Sequence, residues 1–395
     1  MARLPYLNAR LQGFGTTIFA EMSALAARTN AINLGQGFPD TDGPTEVSAA
    51  AIHAIASGVN QYPPGPGTAD LRSAIAEHQQ RFWSMSVDPD TEVLVTAGAT
   101  EAIAATMLAL CEIGDEVVVF DPTYDCYAAS IAMAGARMIP ILLEPGEQGR
   151  FGFDHDRLRS AFSAKTRLIL LNTPHNPTGK VFTADELEVV AELCRDHDVI
   201  AVTDEVYEHL VFEGAHKPLA TYDGMADRTV TISSGGKTFS FTGWKIGWAI
   251  GNAELINAVR TAKQFLTFVN GAPFQPAIAT GLRLDDDYFE DFRSTLRSKR
   301  DLLGDLLQRA GFRVHRPEGT YFTTVDIQPL GFDDGVAFCL ALPERAGVVA
   351  VPSQVFYQDK TAGSSLVRFC FAKRDELLTE AGERLITAFA PENQT

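Results

Sequence analysis

Between residues 92 and 250 the chain alternates short apolar runs with stretches of helix length. Glu92–Ala97 (EVLVTA), Glu116–Phe120 (EVVVF), Met138–Leu143, Arg167–Asn172 (RLILLN), Val199–Thr203 (VIAVT), Thr229–Ser233 and Gly247–Ile250 read as strands. Thr100–Cys111, Tyr124–Ala134 and Ala184–His197 read as helices. The strands lack the apolar–polar alternation of a sheet with one wet face, so both faces are buried. Runs of this kind, spaced by helices, predict an α/β fold with a mostly parallel central sheet flanked by helices. Such sheets bind ligands beyond the carboxyl ends of their strands, so the residues that follow each strand carry the functional information.

From about Asp285 the pattern changes. Phe289–Ala310 is a long, charged, amphipathic helix, followed by shorter strands at Tyr321–Val325 and Leu366–Phe371 and a C-terminal helix. This predicts a smaller α+β domain over residues 285–395, a large domain over 45–284, and an N-terminal arm over 1–44 packing on the small domain. A chain of 395 residues has room for two or three domains of about 150 residues each.

The net charge of −17 argues against a nucleic-acid partner, which needs a basic footprint. No run reaches the length of a membrane span, and the first residues lack the apolar core of a signal peptide. The five cysteines are scattered, odd in number and form no C-x-x-C pair, a usage that fits a reducing cytoplasm. No metal-ligand spacing stands out.

Two glycine-rich spots fail as nucleotide motifs. Gly35-Gln36-Gly37 begins like a dinucleotide fingerprint, but Asp40 stands where the third glycine belongs. Gly236-Lys237-Thr238 resembles the end of a phosphate loop, but Thr231 stands where its first glycine belongs. Gly98-Ala99-Thr100-Glu101 lies between a strand and a helix, where free N–H groups and the helix dipole would meet an anion. The plainer alternative there is a helix cap by Thr100.

After successive strands stand Asn172-Thr-Pro-His-Asn176-Pro-Thr-Gly179, Asp204-Glu-Val-Tyr207 and Ser233-Ser234-Gly-Gly-Lys237, with Lys245 eight residues further and Arg368 inside the late strand LVRFCF. Each has a bland reading: a turn, a helix cap, a solvated lysine, a salt-bridged arginine. Together they match the needs of pyridoxal 5′-phosphate. That cofactor requires a lysine to hold its aldehyde, a carboxylate to keep its pyridine nitrogen charged, donors to its phenolate oxygen and a phosphate cup. An amino-acid substrate adds the need for an arginine whose fork grips its carboxylate.

With NPTG, DEVY, SxxK and the late RF, the chain resembles the class I/II aminotransferases, pyridoxal-phosphate enzymes of fold type I, from about Ile32 to its C-terminal part. The resemblance implies Lys237 as the lysine that binds the cofactor and later shuttles a proton. It implies Asp204 at the pyridine nitrogen, Tyr207 and Asn176 at the phenolate oxygen, and Tyr124 stacked on the ring. Ala99, Thr100, Ser234 and Lys245 would hold the phosphate. Lys245 replaces the arginine of aspartate-type members, keeping the charge without the fork. Arg368 would clamp the substrate carboxylate with Gly37 and Asn176 beside it, and Phe19 would border the substrate. Tyr62 would reach the phosphate of a neighbouring subunit, which implies a homodimer. The reaction implied is amino-group exchange between an amino acid and a 2-oxo acid with ping-pong kinetics.

The strings NLGQGFPD, NQYPPGPG, TPHNPTG, TDEVYEHLVF and TGWKIGW resemble the branch of kynurenine/glutamine and methionine aminotransferases and cysteine-S-conjugate β-lyases. Within that branch, VTAGATEAIAA, FAEMSALA and GAPFQPA are most similar to actinobacterial N-succinyldiaminopimelate aminotransferases, which implies a step of lysine biosynthesis. Kynurenine-type members carry an aromatic–histidine pair in the loop that here reads Phe268-Val269-Asn270-Gly271 and a tryptophan near Phe19, and the absence of both here weighs against an aromatic substrate. An acidic substrate of that length would need a second cation beyond Arg368, which Arg10, Arg28, Lys263 or another residue would supply.

Overall fold

The computed structural model describes residues 4–15, 17–146 and 149–390. Seven strands form the central sheet: β1 (Val93–Thr96), β2 (Glu116–Asp121), β3 (Arg137–Leu142), β4 (Thr166–Asn172), β5 (Ile200–Asp204), β6 (Thr229–Ser234) and β7 (Gly247–Ile250). Their spatial order is β1-β7-β6-β5-β4-β2-β3, and β7 runs antiparallel to both its neighbours. The other pairings are parallel.

The unbroken apolar character of these strands has a direct cause. In β2, Val117 and Val119 enter one core while Val118 and Phe120 enter the core on the opposite face. In β4, Leu168 and Leu170 divide from Ile169 and Leu171 in the same way. Each such side chain contributes about 1.5–3 kcal/mol on burial. The helix Ala184–Asp196 covers one face and is started by a reciprocal Thr183–Glu186 capping box. The helix Gly98–Leu110 covers the other, packed on Ala253–Lys263 and Asp125–Ala134.

A second sheet holds β8 (Arg313–His315), β9 (Phe322–Asp326), β10 (Val351–Pro352) and β11 (Leu366–Cys370), antiparallel in the order β8-β9-β11-β10. The helices Asp286–Arg309 and Asp375–Phe389 pack together beside it. The arm touches both parts of the molecule. Met22, Leu25 and Leu34 join the core around the second sheet, and Ile32–Asn33 pairs with Val348–Val349. Further toward the N-terminus, the Arg10 guanidinium donates to the Met133 carbonyl on a helix of the large sheet at 2.7 Å. Among the described residues no helix is long and apolar enough to cross a membrane, and all five cysteines are free.

Candidate active site

Because β1, β2, β4, β5 and β6 share one direction, the segments after them converge at one edge of the sheet. A cavity of about 210 Å³ opens there, lined among others by Ala99, Thr100, Tyr124, Asn176, Asp204, Tyr207, Ser234, Lys237 and Lys245. Nine residues singled out in the sequence thus share one cavity.

Its anionic group is Asp204, the last residue of β5. The Tyr127 hydroxyl donates to Asp204 Oδ2 at 2.6 Å, and Asn172 Nδ2 donates to the Asp204 carbonyl at 2.8 Å. Burial pushes the carboxyl up to about 6, against the opposing pull of the Tyr127 hydrogen bond. A buried carboxylate in that condition is stabilised by a cation placed beside it. Asn172 also orders the next loop: its Oδ1 accepts from the Asn176 backbone N–H at 2.7 Å.

Lys237 lies one turn past β6. Burial, with Arg368 and Lys245 nearby, lowers its ammonium to about 8, and Asp204 opposes the shift. Its Nζ donates to Tyr321 Oη at 3.1 Å. Lys180, close to the same loops, is committed elsewhere, donating to Glu186 and to the Phe151 carbonyl.

At the opposite wall, the helix Gly98–Leu110 begins without a side-chain cap. Thr100 lies inside the first turn, so the capping alternative does not hold. Gly98 adopts a φ of +74°, a conformation glycine takes without strain. Lys245, itself left-handed at φ 55°, brings its Nζ to 3.3 Å from the point a Gly98 Cβ would occupy. Uncapped N–H groups, the helix dipole and an ammonium here converge, an arrangement that receives an anion.

Arg368 sits on β11 at 1% exposure. Nη1 donates to Asn176 Oδ1 at 2.9 Å and Nη2 to the Gly35 carbonyl at 3.1 Å, while buried Nε has no partner among the described residues. The guanidinium lies 4.0 Å from the Phe322 ring centre, 5.1 Å from Phe356 and 5.2 Å from Phe19. Its charge is thus met by rings and neutral oxygens, and among the described residues no carboxylate is paired with it. Gly37 lies close by. A Cβ on Gly37 would fall 2.6 Å from the Phe322 ring, so only glycine lets the backbone pass there.

Tyr62 lies outside this cavity. It is 82% exposed, with its ring 5.5 Å from that of Phe268. Of the three candidate second cations, Arg10 is engaged by Met133 and Lys263 donates to the Phe268 carbonyl at 2.7 Å. Arg28 is exposed on the arm helix. Two cavity neighbours escaped the sequence reading, Tyr127 and Tyr321. Tyr127 could have been found, because it follows Tyr124 at a spacing that places both near one face of a helix start.

The family model for "Aminotransferase class I and II" matches residues 29–385. The chain belongs to the class I and II aminotransferases. It is 54% identical over 95% of its length to a probable N-succinyldiaminopimelate aminotransferase of Mycobacterium tuberculosis, of which it covers 97%. It is 39% identical to the methionine aminotransferase of Escherichia coli, with 96% of this chain and 97% of that one aligned. The solved structure of N-succinyldiaminopimelate aminotransferase from Mycobacterium tuberculosis superposes with a TM-score of 0.95 at 53% identity, covering 97% of this chain and all of that one. Kynurenine–oxoglutarate transaminase 3 of Mus musculus is 38% identical over 96% of this chain and 90% of its own length. As an aminotransferase, the chain is an enzyme of amino-group transfer, on a fold it shares with these neighbours.

Proposed function

We propose that this aminotransferase uses pyridoxal 5′-phosphate to exchange an amino group between glutamate and the N-succinylated amino-oxopimelate that yields N-succinyldiaminopimelate, in lysine biosynthesis. The observation that carries the substrate is the 54% identity across nearly the whole chain. Kynurenine and methionine are the related alternative substrates, and elimination from cysteine conjugates is the alternative reaction.

The residues of the cavity fit the cofactor. Asp204 is a buried carboxylate suited to a charged ring nitrogen, and the uncapped helix start with Lys245 suits a phosphate. Tyr207 and Asn176 would donate to the phenolate oxygen, Tyr124 would stack on the ring, and Ser234 and Thr100 would complete the phosphate cup. When bound, the cofactor supplies an electron sink for the pair left when the substrate α C–H bond breaks. Arg368, whose Nε–H has no partner among the described residues, would grip the substrate carboxylate and fix the α-carbon in front of Lys237. The Lys237 amine would then take the α-proton at Nζ and return it one step later. Phe19 and Phe356, flanking the guanidinium, would keep water from it. Exposed Tyr62, with Phe265 and Phe268 also exposed, supports a homodimer in which Tyr62 serves the neighbouring site. Scattered free cysteines support a cytoplasmic setting.

A panel of donors and oxo acids tests this reading. N-succinyldiaminopimelate with 2-oxoglutarate is expected to turn over fastest, and the borohydride-reduced cofactor is expected on the peptide that carries Lys237. Faster turnover of methionine or kynurenine would reassign the substrate, and cofactor on Lys245 or Lys180 would overturn the site.

Arg368→Lys separates a carboxylate clamp from a structural arginine. Lysine keeps the charge and loses one of two parallel hydrogen bonds. The expected loss in kcat/KM is about tenfold or more, roughly 1.4 kcal/mol, and equal for every donor because all share the carboxylate. Steady-state kinetics across three donors checks it. A loss confined to one donor would put Arg368 in the side-chain pocket, and normal kinetics for all would return it to a structural role.

A further inference from the structure

Tyr321 belongs to none of the sequence motifs and has no role in the proposed reaction. Its hydroxyl nevertheless joins three separate parts of the chain at the reacting amine. It lies fully buried immediately before β9, and its oxygen is 3.1 Å from Lys237 Nζ and 2.7 Å from the Gly37 carbonyl. Lys237 belongs to the large sheet, Tyr321 to the second sheet and Gly37 to the arm.

Three groups meet the Tyr321 oxygen, namely Lys237 Nζ, the Gly37 carbonyl and the Tyr207 hydroxyl, which can itself donate, and the donor count orients the first two. A carbonyl only accepts, so the one phenolic proton goes to Gly37. The Tyr321 oxygen is then left with lone pairs alone and can only accept an N–H from Lys237. The tyrosine itself has little freedom. Its ring meets Tyr207 edge-on at 5.2 Å, and its carbonyl accepts from the Phe371 N–H at 2.9 Å. The preceding residue, Thr320, is β-branched, fully buried and held at φ 68°. Threonine rarely adopts that conformation, and backbone strain of this kind persists where the surroundings enforce it, often at functional sites.

We infer that Tyr321 is a positioning residue for Lys237: with its proton committed to Gly37, it accepts one N–H of the free amine and aims the nitrogen lone pair at the substrate α-carbon. The amine is therefore held in its working orientation only while the second sheet and the Gly37 segment are docked on the large sheet. This inference rests on the function proposed above and adds a requirement to it. Tyr321 donates no proton to the reaction. It restricts the amine, which on its four-carbon stem would otherwise sample many orientations.

Tyr321→Phe in the full-length holoenzyme tests it. The ring and its packing stay and the oxygen leaves. Cofactor content and the visible spectrum are expected to match the wild type. Turnover is expected to fall by about tenfold or more, a part of the roughly 10²–10⁴-fold that a positioned acid–base group contributes, with KM changed far less. The α-deuterium isotope effect on kcat is expected to rise, because proton transfer becomes slower than the other steps. A second readout is independent of turnover: acetylation of Lys237, followed by mass spectrometry against pH, after excess amino donor has freed the lysine. A neutral oxygen acceptor favours the ammonium over the amine, so its removal is expected to move the labelling midpoint to lower pH. An unchanged isotope effect with an unchanged midpoint would overturn the inference, and so would loss of bound cofactor, which would give Tyr321 a structural role. If wild-type enzyme carries no cofactor on Lys237 or transfers no amino group, the proposed function falls. If wild type behaves as proposed and Tyr321→Phe equals it, this inference alone falls.

Discussion

Asp204→Ala is expected to retain cofactor through the phosphate contacts and to lose transamination by about a thousandfold at saturating substrate. Asp204 is buried at the end of β5 and its carboxyl is pushed up to about 6 by that burial. Among the described residues, only Tyr127 and the Val206 N–H donate to it. A cation beside it would favour the charged form further, and the proposed cofactor brings one at its ring nitrogen. Two unit charges about 4 Å apart at an effective dielectric of about 20 interact by about 4 kcal/mol. Lost from the transition state, that is about three powers of ten in rate. Asp204→Asn distinguishes charge from shape. It keeps the volume and accepts from Tyr127, yet it should fall nearly as far. Stopped-flow measurement of each half-reaction checks both variants, and a variant retaining half the normal turnover would remove Asp204 from the role.

The reason Asp204 was visible in the sequence is also the reason the fold was. A strand buried on both faces cannot alternate, so EVVVF and RLILLN stand out as strands without ambiguity. Parallel direction then forces the residues after them to a common edge. Asn176, Asp204, Ser234 and Lys237 were legible because each follows such a run. The direction of β7 was not legible. Its four buried residues pack equally well either way, and the antiparallel pairing with β1 and β6 depends on where the chain must cross. Tyr321 was hidden for a different reason. It reaches Lys237 from the second sheet, whose strands are short and whose register against the large sheet no local pattern encodes. The helix start at Gly98, two residues before the sequence expectation at Thr100, shows a third limit. A glycine at φ +74° can open a helix where propensity alone would not begin one.

Lys237→Ala is expected to abolish amino transfer to at least about a thousandfold below wild type, the middle of the range for loss of a positioned acid–base group. The alternative bearer of the chemistry would be a neighbouring lysine. Lys180 is tied to Glu186 and Phe151, and Lys245 faces the start of a helix rather than Asp204. Neither reaches the position that Lys237 holds between Asp204 and Arg368. The environment of Lys237 also fixes a pH dependence. Burial, Arg368 and Lys245 lower its ammonium to about 8 against the pull of Asp204. The neutral form, which alone can take a proton, therefore grows as pH rises through 8. At pH 7 roughly a tenth of the amine is neutral, against a few parts in ten thousand at an ordinary lysine. The rate of α-proton removal, read as α-hydrogen exchange in deuterated water, should rise about tenfold per pH unit below 8 and level above it. In Lys237→Ala that limb should disappear. A small added amine such as methylamine, diffusing into the space left by the side chain, should restore part of the exchange in proportion to its free-base concentration. Residual exchange that keeps the wild-type limb would show that another group removes the proton, and exchange within tenfold of wild type without added amine would take Lys237 out of the reaction.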